Sequence, residues 1–360
     1  MMEDYNLRFY DSSISLVGEL DDANAVIWNC VFCGYGKFEL HFGALHPDCF
    51  QINNYVKLDR DRYKTGIIKS IAITESDDGV TAVIKGFTLA WLLTQRITVP
   101  PAGSAQLTVT GAAEDAMIAL VDASAGPAAE KKRQMGLVMA DSRGRGVDVA
   151  VASRYKVLSE ELTALGEQTG LGYTIYLDTD QKRLVFEVLD GVDRTWGQDG
   201  GAAVCFSPKY DNVTTRNYQT NVGTLKNCAY VGGQGEGAER RIIVVGSEAS
   251  GLDRCEIFVD ARDINDTSAL TQRGRAKLSG YPAVNSYECD VDPAGYGSKW
   301  NLGDYISVKD DAYGMSADMQ VSAVEIAIDR TGRRITPTFG VAPKTNQQRL
   351  DQLTSTDAVI

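Results

Sequence analysis

The segment with the most obvious capacity for chemistry is glycine-rich and reads YVGGQGEGAERRIIV, from Tyr230 to Val244. Glycines between a strand and a helix N-terminus bind phosphate, because free backbone N–H groups and the helix dipole meet the anion there. Here the glycines, from Gly232 to Gly237, precede the β-branched run Ile242 to Val245, which is typical of a strand, and no Walker-type Lys-Ser or Lys-Thr pair follows them. The pattern therefore favours a long hairpin loop over a phosphate site.

A group of thiols and imidazoles near the N-terminus could bind zinc: Cys30, Cys33, His41, His46 and Cys49. Paired soft ligands on a short turn suit zinc, but Ile27 to Phe32 is typical of a strand, in which residues three apart face opposite sides. The spacing to the histidines also matches no common zinc module. We therefore predict buried thiols and no metal site. The other cysteines stand singly and are expected to be buried and unpaired: Cys205, Cys228, Cys255 and Cys289.

Two pairs of carboxylates at predicted strand ends are the candidates for acid–base catalysis: Asp190 and Asp193 in LDGVDRT, and Asp260 and Asp263 in VDARD. Glycosidases use such pairs, so a glycoside hydrolase is one alternative function. Aspartates at strand ends commonly form turns and caps, and we expect Arg194 and Arg262 to form ion pairs with them. With only 2 histidines and no G-x-S-x-G or H-E-x-x-H motif, the sequence favours no catalytic residue and no cofactor.

The tryptophans suggest a second alternative, a carbohydrate-binding module whose exposed rings stack on sugars: Trp28, Trp91, Trp196 and Trp300. Trp28 and Trp91 lie in apolar patterns and are predicted to belong to the core.

Composition restricts the class of protein. The chain has 360 residues, of which 44% are hydrophobic and 23% charged, and it can form two or three domains. Its net charge of -12 and its lack of a basic block argue against sequence-specific nucleic-acid binding. No run approaches the roughly 18 apolar residues of a membrane span. The acidic N-terminus does not resemble a secretory signal, so we expect synthesis and folding in a cytoplasm.

The elements predicted from local patterns fall into three sections. Strands dominate the first: Asn6 to Tyr10, Ala25 to Phe32, Lys37 to Phe42, Ile67 to Ile73 and Val80 to Lys85, with SDDG at Ser76 to Gly79 as a hairpin turn. The middle section contains helical patterns after Thr88, from Thr110 to Ser124 with Thr110 as cap, and from Tyr155 to Thr169 with Gly170 as C-cap. A loop over 125–145 and a strand pair, Tyr173 to Leu177 and Leu184 to Leu189, complete it.

Strands return in the third section, with one helix whose face contains Leu270, Gly274 and Leu278 and whose cap is Asp266 or Thr267. The predicted strands are Ala203 to Phe206, Ala229 to Val231, Ile242 to Val245, Cys255 to Val259, Tyr287 to Val291, Tyr305 to Val308, Val321 to Ile328 and Ile335 to Phe339. The predicted fold is mainly β with α+β insertions. It has a β-barrel domain over 1–98, an α+β domain over 99–200, a second β-barrel domain with the inserted helix over 201–341, and a polar tail over 342–360, where QQRLDQL favours one amphipathic turn.

A series of motifs in a fixed order resembles a known family: WNCVFCGYGKFELHF, Gly66-Ile67-Ile68, GFTLAWLLTQRI, FEVLDGVDRT, VCFSPKYDNV, NCAYVGGQGEGAER, GLDRCEIFVDARD, NLGDYISV and GRRITPTFG. Together they are similar to tail-tip hub proteins of long-tailed siphophages and prophages, the baseplate hub or N-terminal tail-associated-lysin group. The resemblance extends from about Asn6 to about Val341.

The resemblance implies a structural protein of the virion tail tip. Such hubs are homotrimers that close the tail tube, and each subunit supplies two similar β-barrels, so that three subunits match a sixfold tube. The implied partners are the distal tail protein, the tail tube and the tape-measure protein, and possibly receptor-binding or fibre proteins. Many relatives continue into a peptidoglycan-cleaving or fibre-like domain, whereas this sequence stops soon after Val341, so we expect no enzyme. The glycine loop would then be a hairpin tip near a neighbouring subunit.

Overall fold

The computed structural model describes residues 5–77, 79–198 and 200–341. Asp78 of the predicted SDDG turn and the predicted polar tail, 342–360 with QQRLDQL, lie outside this part of the chain. Among the described residues, no helix combines the length and apolar character needed to cross a membrane.

The first section is an antiparallel β block. Its strands are β1 (Leu7–Tyr10), β2 (Leu16–Leu20), β3 (Ala23–Val31), β4 (Lys37–Phe42), β5 (Tyr55–Leu58), β6 (Thr65–Ser76) and β7 (Gly79–Thr88). They are hydrogen-bonded in the order β3-β4-β7-β6-β5-β1-β2. All five predicted strands are confirmed, and the pairing of Ser76 with Gly79 confirms the hairpin. Sequence reasoning missed β2, whose exposed and half-buried residues lack a clear alternation, and the short β5.

The middle section mixes helices and short strands. Its elements are a 3₁₀ helix (Leu89–Gln95), β8 (Leu107–Ala112), α1 (Ala113–Ala125), β9 (Leu137–Met139), β10 (Asp148–Ser153), α2 (Leu158–Thr169), β11 (Gly172–Asp178) and β12 (Arg183–Leu189). The helix ending at Gly170 is confirmed, since that residue has the left-handed φ of 76°, and so is the β11–β12 hairpin.

Two predictions for the middle section were wrong. Thr110 does not cap a helix, because it lies in β8 and pairs with Ala150 of β10. The segment 125–145 is not all loop, because β9 within it runs parallel to β12. In both cases a strand forms with a partner that is distant in sequence, which a local pattern does not reveal.

The third section contains β13 (Asp193–Arg194), β14 (Cys205–Phe206), β15 (Val213–Asn221), β16 (Cys228–Gly232), β17 (Ile242–Gly246), β18 (Glu256–Asp260), α3 (Thr267–Ser279), β19 (Val284–Val291), β20 (Tyr305–Asp310), β21 (Met315–Asp329) and β22 (Gly332–Val341). The predicted strands and helix are confirmed in position. Asp266 is the helix cap, since its carboxylate accepts a hydrogen bond from the Ala269 N–H at 2.8 Å. Sequence reasoning missed β15, which has few apolar residues.

The first and third sections share one sheet. Strands β15, β19, β22 and β21 follow one another, and β21 then pairs antiparallel with β3, which places Ala323–Ile328 beside Val26–Val31. One continuous hydrophobic cluster includes buried side chains from both sections, among them Trp28 and Phe339. The two β blocks are therefore packed as neighbours through backbone hydrogen bonds and a common core.

Three of the strands predicted for the second barrel belong to another sheet, which corrects the prediction. Strands β17, β16 and β18, in that order, form a separate three-stranded sheet, and α3 covers one of its faces. Gly274 of α3 allows this close packing, because a Cβ at this position would lie 2.8 Å from the Val231 side chain. Ala229, Val231 and Leu270 form a small hydrophobic cluster of their own with the neighbouring residues. The domain boundaries given above and the closure of the two barrels remain predictions.

Candidate functional site

The glycine-rich loop connects β16 to β17, which run antiparallel, so it joins two strands as predicted. Arg240 forms hydrogen bonds at the start of the loop. Its guanidinium donates to the carbonyl oxygens of Gly232 at 2.9 Å and Gly233 at 3.1 Å, and to the Asp260 carboxylate at 2.5 Å. A Cβ at residue 232 would lie 2.7 Å from that guanidinium, so glycine is needed for the contact. The loop is thus held by its own arginine.

The thiols and imidazoles near the N-terminus are engaged separately. Burial raises the pKa of the Cys30 thiol to about 12, and the Cys33 thiol donates to the Thr163 carbonyl at 3.4 Å. His41 contacts Glu39 at 2.8 Å, and His46 contacts Asp22 at 3.0 Å. Within residues 5–77, 79–198 and 200–341, no group of three or more His, Cys, Asp or Glu side chains is arranged to hold a metal ion.

The first carboxylate pair forms a turn. Asp193 accepts a hydrogen bond from the Thr195 N–H at 2.9 Å, and hydrogen bonds from Thr195 lower its pKa. The predicted ion pair of Arg194 with Asp190 or Asp193 was wrong, because Arg194 pairs with the buried Asp304 at 2.6 Å. Asp304 lies on the turn before β20, 110 residues further along the chain, a partner that no local motif indicates.

The second carboxylate pair is also occupied. The Asp260 carboxylate accepts from Arg262 at 2.8 Å, which confirms this predicted ion pair, and from Arg240. These hydrogen bonds, those of Arg262 foremost, lower the pKa of Asp260. Asp263 accepts from the Gln106 side-chain amide at 2.6 Å. A glycosidase general acid needs a raised pKa, and the lowered pKa of Asp193 and Asp260 is the opposite.

A charged cavity of about 290 Å³ lies beside α1 and contains Arg62, Arg143, Arg145, Glu114, Asp141 and Glu187. Glu114, whose side chain is 1% exposed, accepts from the backbone N–H groups of Arg143 and Arg145 and from the Arg145 guanidinium at 2.8 Å. Arg145 also donates to the Val188 carbonyl at 2.6 Å. These charges fix the loop before β10 against α1 and β12, so the cavity is explained as a structural ion-pair network.

Glu114→Gln is expected to lower the free energy of unfolding at pH 7 by about 1–3 kcal/mol, because a buried charge-assisted hydrogen bond is lost. Burial opposes ionisation of Glu114, but the hydrogen bonds from Arg145 and from the two loop N–H groups outweigh it and lower its pKa. A lowered folded-state pKa contributes stability above the unfolded-state pKa, and this contribution is lost as pH falls through the folded-state value. Thermal unfolding from pH 7 to pH 3 checks this: the two proteins should converge at the acid end, and a constant difference would contradict the assignment.

The four tryptophans differ in exposure. Trp28 is fully buried, as predicted, and stacks on Phe38 at 4.7 Å. Trp91 stacks on Phe87 at 5.1 Å and packs against a second hydrophobic cluster, which includes Leu120 of α1 and Leu162 of α2. Trp300 was a candidate for stacking on sugars, but it is 2% exposed and packs in the hydrophobic cluster that the two β blocks share. Trp196 is 65% exposed and stacks on the half-exposed Tyr210 at 6.3 Å.

The fold is similar to solved tail proteins of phages and prophages. A tail protein from Neisseria meningitidis MC58 is 15% identical with a TM-score of 0.57, over 93% of this chain and 96% of that chain. The 43 kDa tail protein of prophage MuSo2 from Shewanella oneidensis is 14% identical with a TM-score of 0.58, over 93% and 98% of the two chains. Prophage tail protein gp18 from Listeria monocytogenes EGD-e is 12% identical with a TM-score of 0.53, over 97% and 98%. No curated protein matches this chain significantly.

The chain therefore shares with these proteins a mainly β fold of several sheets, which covers nearly the whole of each chain. The chain belongs to the Siphovirus ReqiPepy6 Gp37-like protein family, whose model matches residues 6–341. This range agrees with that of the ordered motifs, and the resemblance to siphophage and prophage tail proteins is confirmed. The family and the fold together support a structural tail protein, which is consistent with a location in the virion.

Proposed function

We propose that this chain is the baseplate hub at the tail tip, where three copies form a ring that closes the tail tube and connects it to the adsorption apparatus. The ring opens or shifts for DNA passage. Its partners are the distal tail protein, the tail tube and the tape-measure protein, and receptor-binding or fibre proteins attach around it. The role requires no catalytic residue, cofactor or metal ion.

The observation that carries this proposal is the pairing of β21 with β3, which joins two β blocks of one chain edge to edge. A tube with sixfold symmetry needs six equivalent contacts, and three copies that each supply two neighbouring β blocks provide six. The shared sheet and the common hydrophobic core fix the spacing of the two blocks within each copy. A closed symmetric ring then gains its stability from the contacts between copies.

The net charge of -12 suits a protein that lines a path for DNA. Acidic groups facing the channel repel the phosphate backbone and prevent the genome from sticking during passage.

Particle mass tests the proposal directly. The purified full chain, measured by light scattering or mass photometry alone and with its distal tail and tube partners, is expected to form trimers. A chain that stays monomeric in both conditions would overturn the ring. Cryo-electron microscopy of the virion should place three copies at the end of the tube.

The hydrolase alternative predicts a clearing zone when the purified protein is tested by zymography on cell-wall substrate. We expect no clearing, because Asp193 forms a turn and Asp260 is paired with two arginines. A clearing zone that Asp193→Asn or Asp263→Asn abolishes would replace the structural role by an enzymatic one.

The exposed Trp196–Tyr210 pair favours a second candidate function, binding of a host-surface glycan. Sugar rings stack on exposed aromatic faces, and this pair presents two nearly parallel rings, 26° apart. If the pair binds glycans, Trp196→Ala will abolish binding on a glycan array, whereas Trp91→Ala, which removes a partly buried ring elsewhere, will not. Absence of binding by the unmodified chain would remove this candidate.

A further inference from the structure

The three-stranded sheet of β17, β16 and β18 has one covered face and one open face. Helix α3 packs on the face that contains Val231 and Val245. The open face presents a row of three residues, Val244, Tyr230 and Phe258, which are paired across the strands. The guanidinium of Arg254 lies over the Tyr230 ring and that of Arg240 over the Phe258 ring. Val244 is 56% exposed and Phe258 is 54% exposed. Exposed apolar side chains arranged in a row mark a surface that contacts another protein.

Both outer strands of this sheet also have free edges. Within the described residues, β16 is the only strand that pairs with β17 or β18. Gly233 N–H bonds to Arg241 O, and Ser247 N–H bonds to Asn227 O. Because bonded pairs alternate along an antiparallel ladder, the backbone groups of Ile242 and Val244 point away from β16.

The same reasoning applies to β18, which runs parallel to β16. Ala261 N–H bonds to Gly232 O, and Cys228 N–H bonds to Cys255 O. The alternate residues, Glu256, Phe258 and Asp260, therefore direct their N–H and C=O groups to the free edge. On both edges, the residues with free backbone groups are those whose side chains lie on the open face.

We propose that these two edges join copies of this chain, with β17 of one copy adding antiparallel to β18 of the next and Val244 opposite Phe258. The strand directions fit, because β17 is antiparallel to β16 and β18 is parallel to it. The pairing satisfies the free N–H and C=O groups on both edges and extends the apolar row from one copy into the next. It is a head-to-tail contact, which closes into a ring of three when successive copies are related by a threefold rotation, and so it rests on the trimer proposed above.

Beside the two edges, this register brings together one pair of opposite charges and one pair of like charges. Opposite Arg254, which precedes β18, lies Glu248, which follows β17 and is exposed. At the other end, Arg240 of one copy faces Arg262 of the next, and Asp260 lies between them. Within one copy, the Asp260 carboxylate already accepts hydrogen bonds from both Arg240 and Arg262. Its negative charge therefore reduces the repulsion between the two arginines across the contact.

Disulfide trapping tests the contact in the full chain. Within one copy, Val244 and Phe258 are separated by β16, and two strand spacings amount to about 9.6 Å between Cα atoms. A disulfide requires less than about 7 Å, so Val244→Cys with Phe258→Cys can be linked only between copies. The double variant is expected to give covalent dimers and trimers under mild oxidation. A mixture of the two single variants should give dimers, and each single variant alone should behave like the unmodified chain with its seven native cysteines.

The outcomes separate this inference from the trimer itself. Trimers by mass without covalent species from the double variant would overturn the edge contact and leave the ring standing. Monomers in every condition would overturn both. Dimers of Val244→Cys alone would indicate a twofold contact and would overturn the head-to-tail arrangement.

A second variant tests the backbone contribution. Val244→Pro removes an N–H that points to the free edge, so the ladder within the copy keeps its hydrogen bonds. We expect it to keep the melting temperature of the unmodified monomer within a few degrees and to weaken trimer formation at least tenfold. Leu252→Ser is the control, because it removes a fully exposed side chain near the sheet and should leave assembly unchanged. Ile73→Pro cannot serve as a control, because β6 is paired on the inside of the copy and proline would disrupt that pairing. Normal trimer formation by Val244→Pro would contradict the proposal.

Discussion

Gly86→Ala is expected to lower the free energy of unfolding of the first β block by about 3 kcal/mol or more, at the upper end of the range for an overpacked core. Gly86 lies in β7, beside Phe38 of β4 and Ile68 of β6. A Cβ there would lie 2.1 Å from the Ile67 carbonyl oxygen and 2.5 Å from the Phe38 ring. Backbone atoms of a paired strand do not yield to a methyl group, so the sheet itself must distort.

Phe38 has no space into which it can move. Its ring is stacked on Trp28 with an interplanar angle of 8°, and both side chains are buried. Gly66, on the neighbouring strand, is also within contact distance, since a Cβ at that residue would lie 2.6 Å from the same ring. Close-packed interiors transmit such strain because they contain few voids. The substitution therefore disturbs the core that both β blocks share.

Thermal and urea unfolding monitored by tryptophan fluorescence measure the effect. Gly197→Ala is the matched control, because a Cβ at residue 197 has no atom within 4 Å and should change stability by less than about 0.5 kcal/mol. Equal melting temperatures for the two variants would show that the packing around Gly86 can accommodate a methyl group.

Asp304→Ala is expected to cost about 3–5 kcal/mol, the range for removing one partner of a buried ion pair. The Asp304 carboxylate, whose side chain is 3% exposed, accepts from Arg194 at 2.6 Å, from Val192 N–H at 3.0 Å and from Asn301 N–H at 2.9 Å. Through these hydrogen bonds, Asp304 connects the segment after β12, which contains Val192 and Arg194, to the turn before β20. Without it, three donors lose their acceptor at once.

The double variant Asp304→Ala with Arg194→Ala separates the ion pair from the backbone contacts. If the two side chains act as a pair, the double variant loses less stability than the sum of the two single variants. Asp193→Ala is the control, since this exposed carboxylate has its hydrogen bond within its own turn and should cause no comparable loss. Strictly additive effects would show that Asp304 acts only through the backbone N–H groups.

Much of the fold was predictable because alternating burial is a local property. Along Lys37–Phe42 every second residue is buried, and the apolar pattern of the sequence shows this directly. The helix that ends at Gly170 has a leucine face and a glycine in the left-handed region. Both features can be recognised from residues that are close together in the sequence. Strand β15 was missed because its residues, VTTRNYQTN, are mostly polar and its strand character comes from pairing with β19.

The candidate sites were less predictable, since each depended on the partner of a charged group. The sequence correctly predicted that the glycine-rich loop joins two strands, but it could not show that Arg240 donates to the carbonyl oxygens of Gly232 and Gly233. It indicated the ion pair of Arg262 with Asp260, two residues away. It did not indicate the pair of Arg194 with Asp304, because ion pairs between distant residues leave no periodic signal.

By itself, the sequence determined the positions of most strands and helices, the acidic charge and the family, since these depend on residue types and their order along the chain. Only the tertiary structure decided which strands pair. It joined β21 to β3, which makes one sheet from two blocks, and it separated β16, β17 and β18 into a sheet whose outer strands pair with no further strand in the described part of the chain. The physical reason is that side-chain alternation specifies the buried face of a strand, whereas its neighbours are selected by packing between residues far apart in sequence.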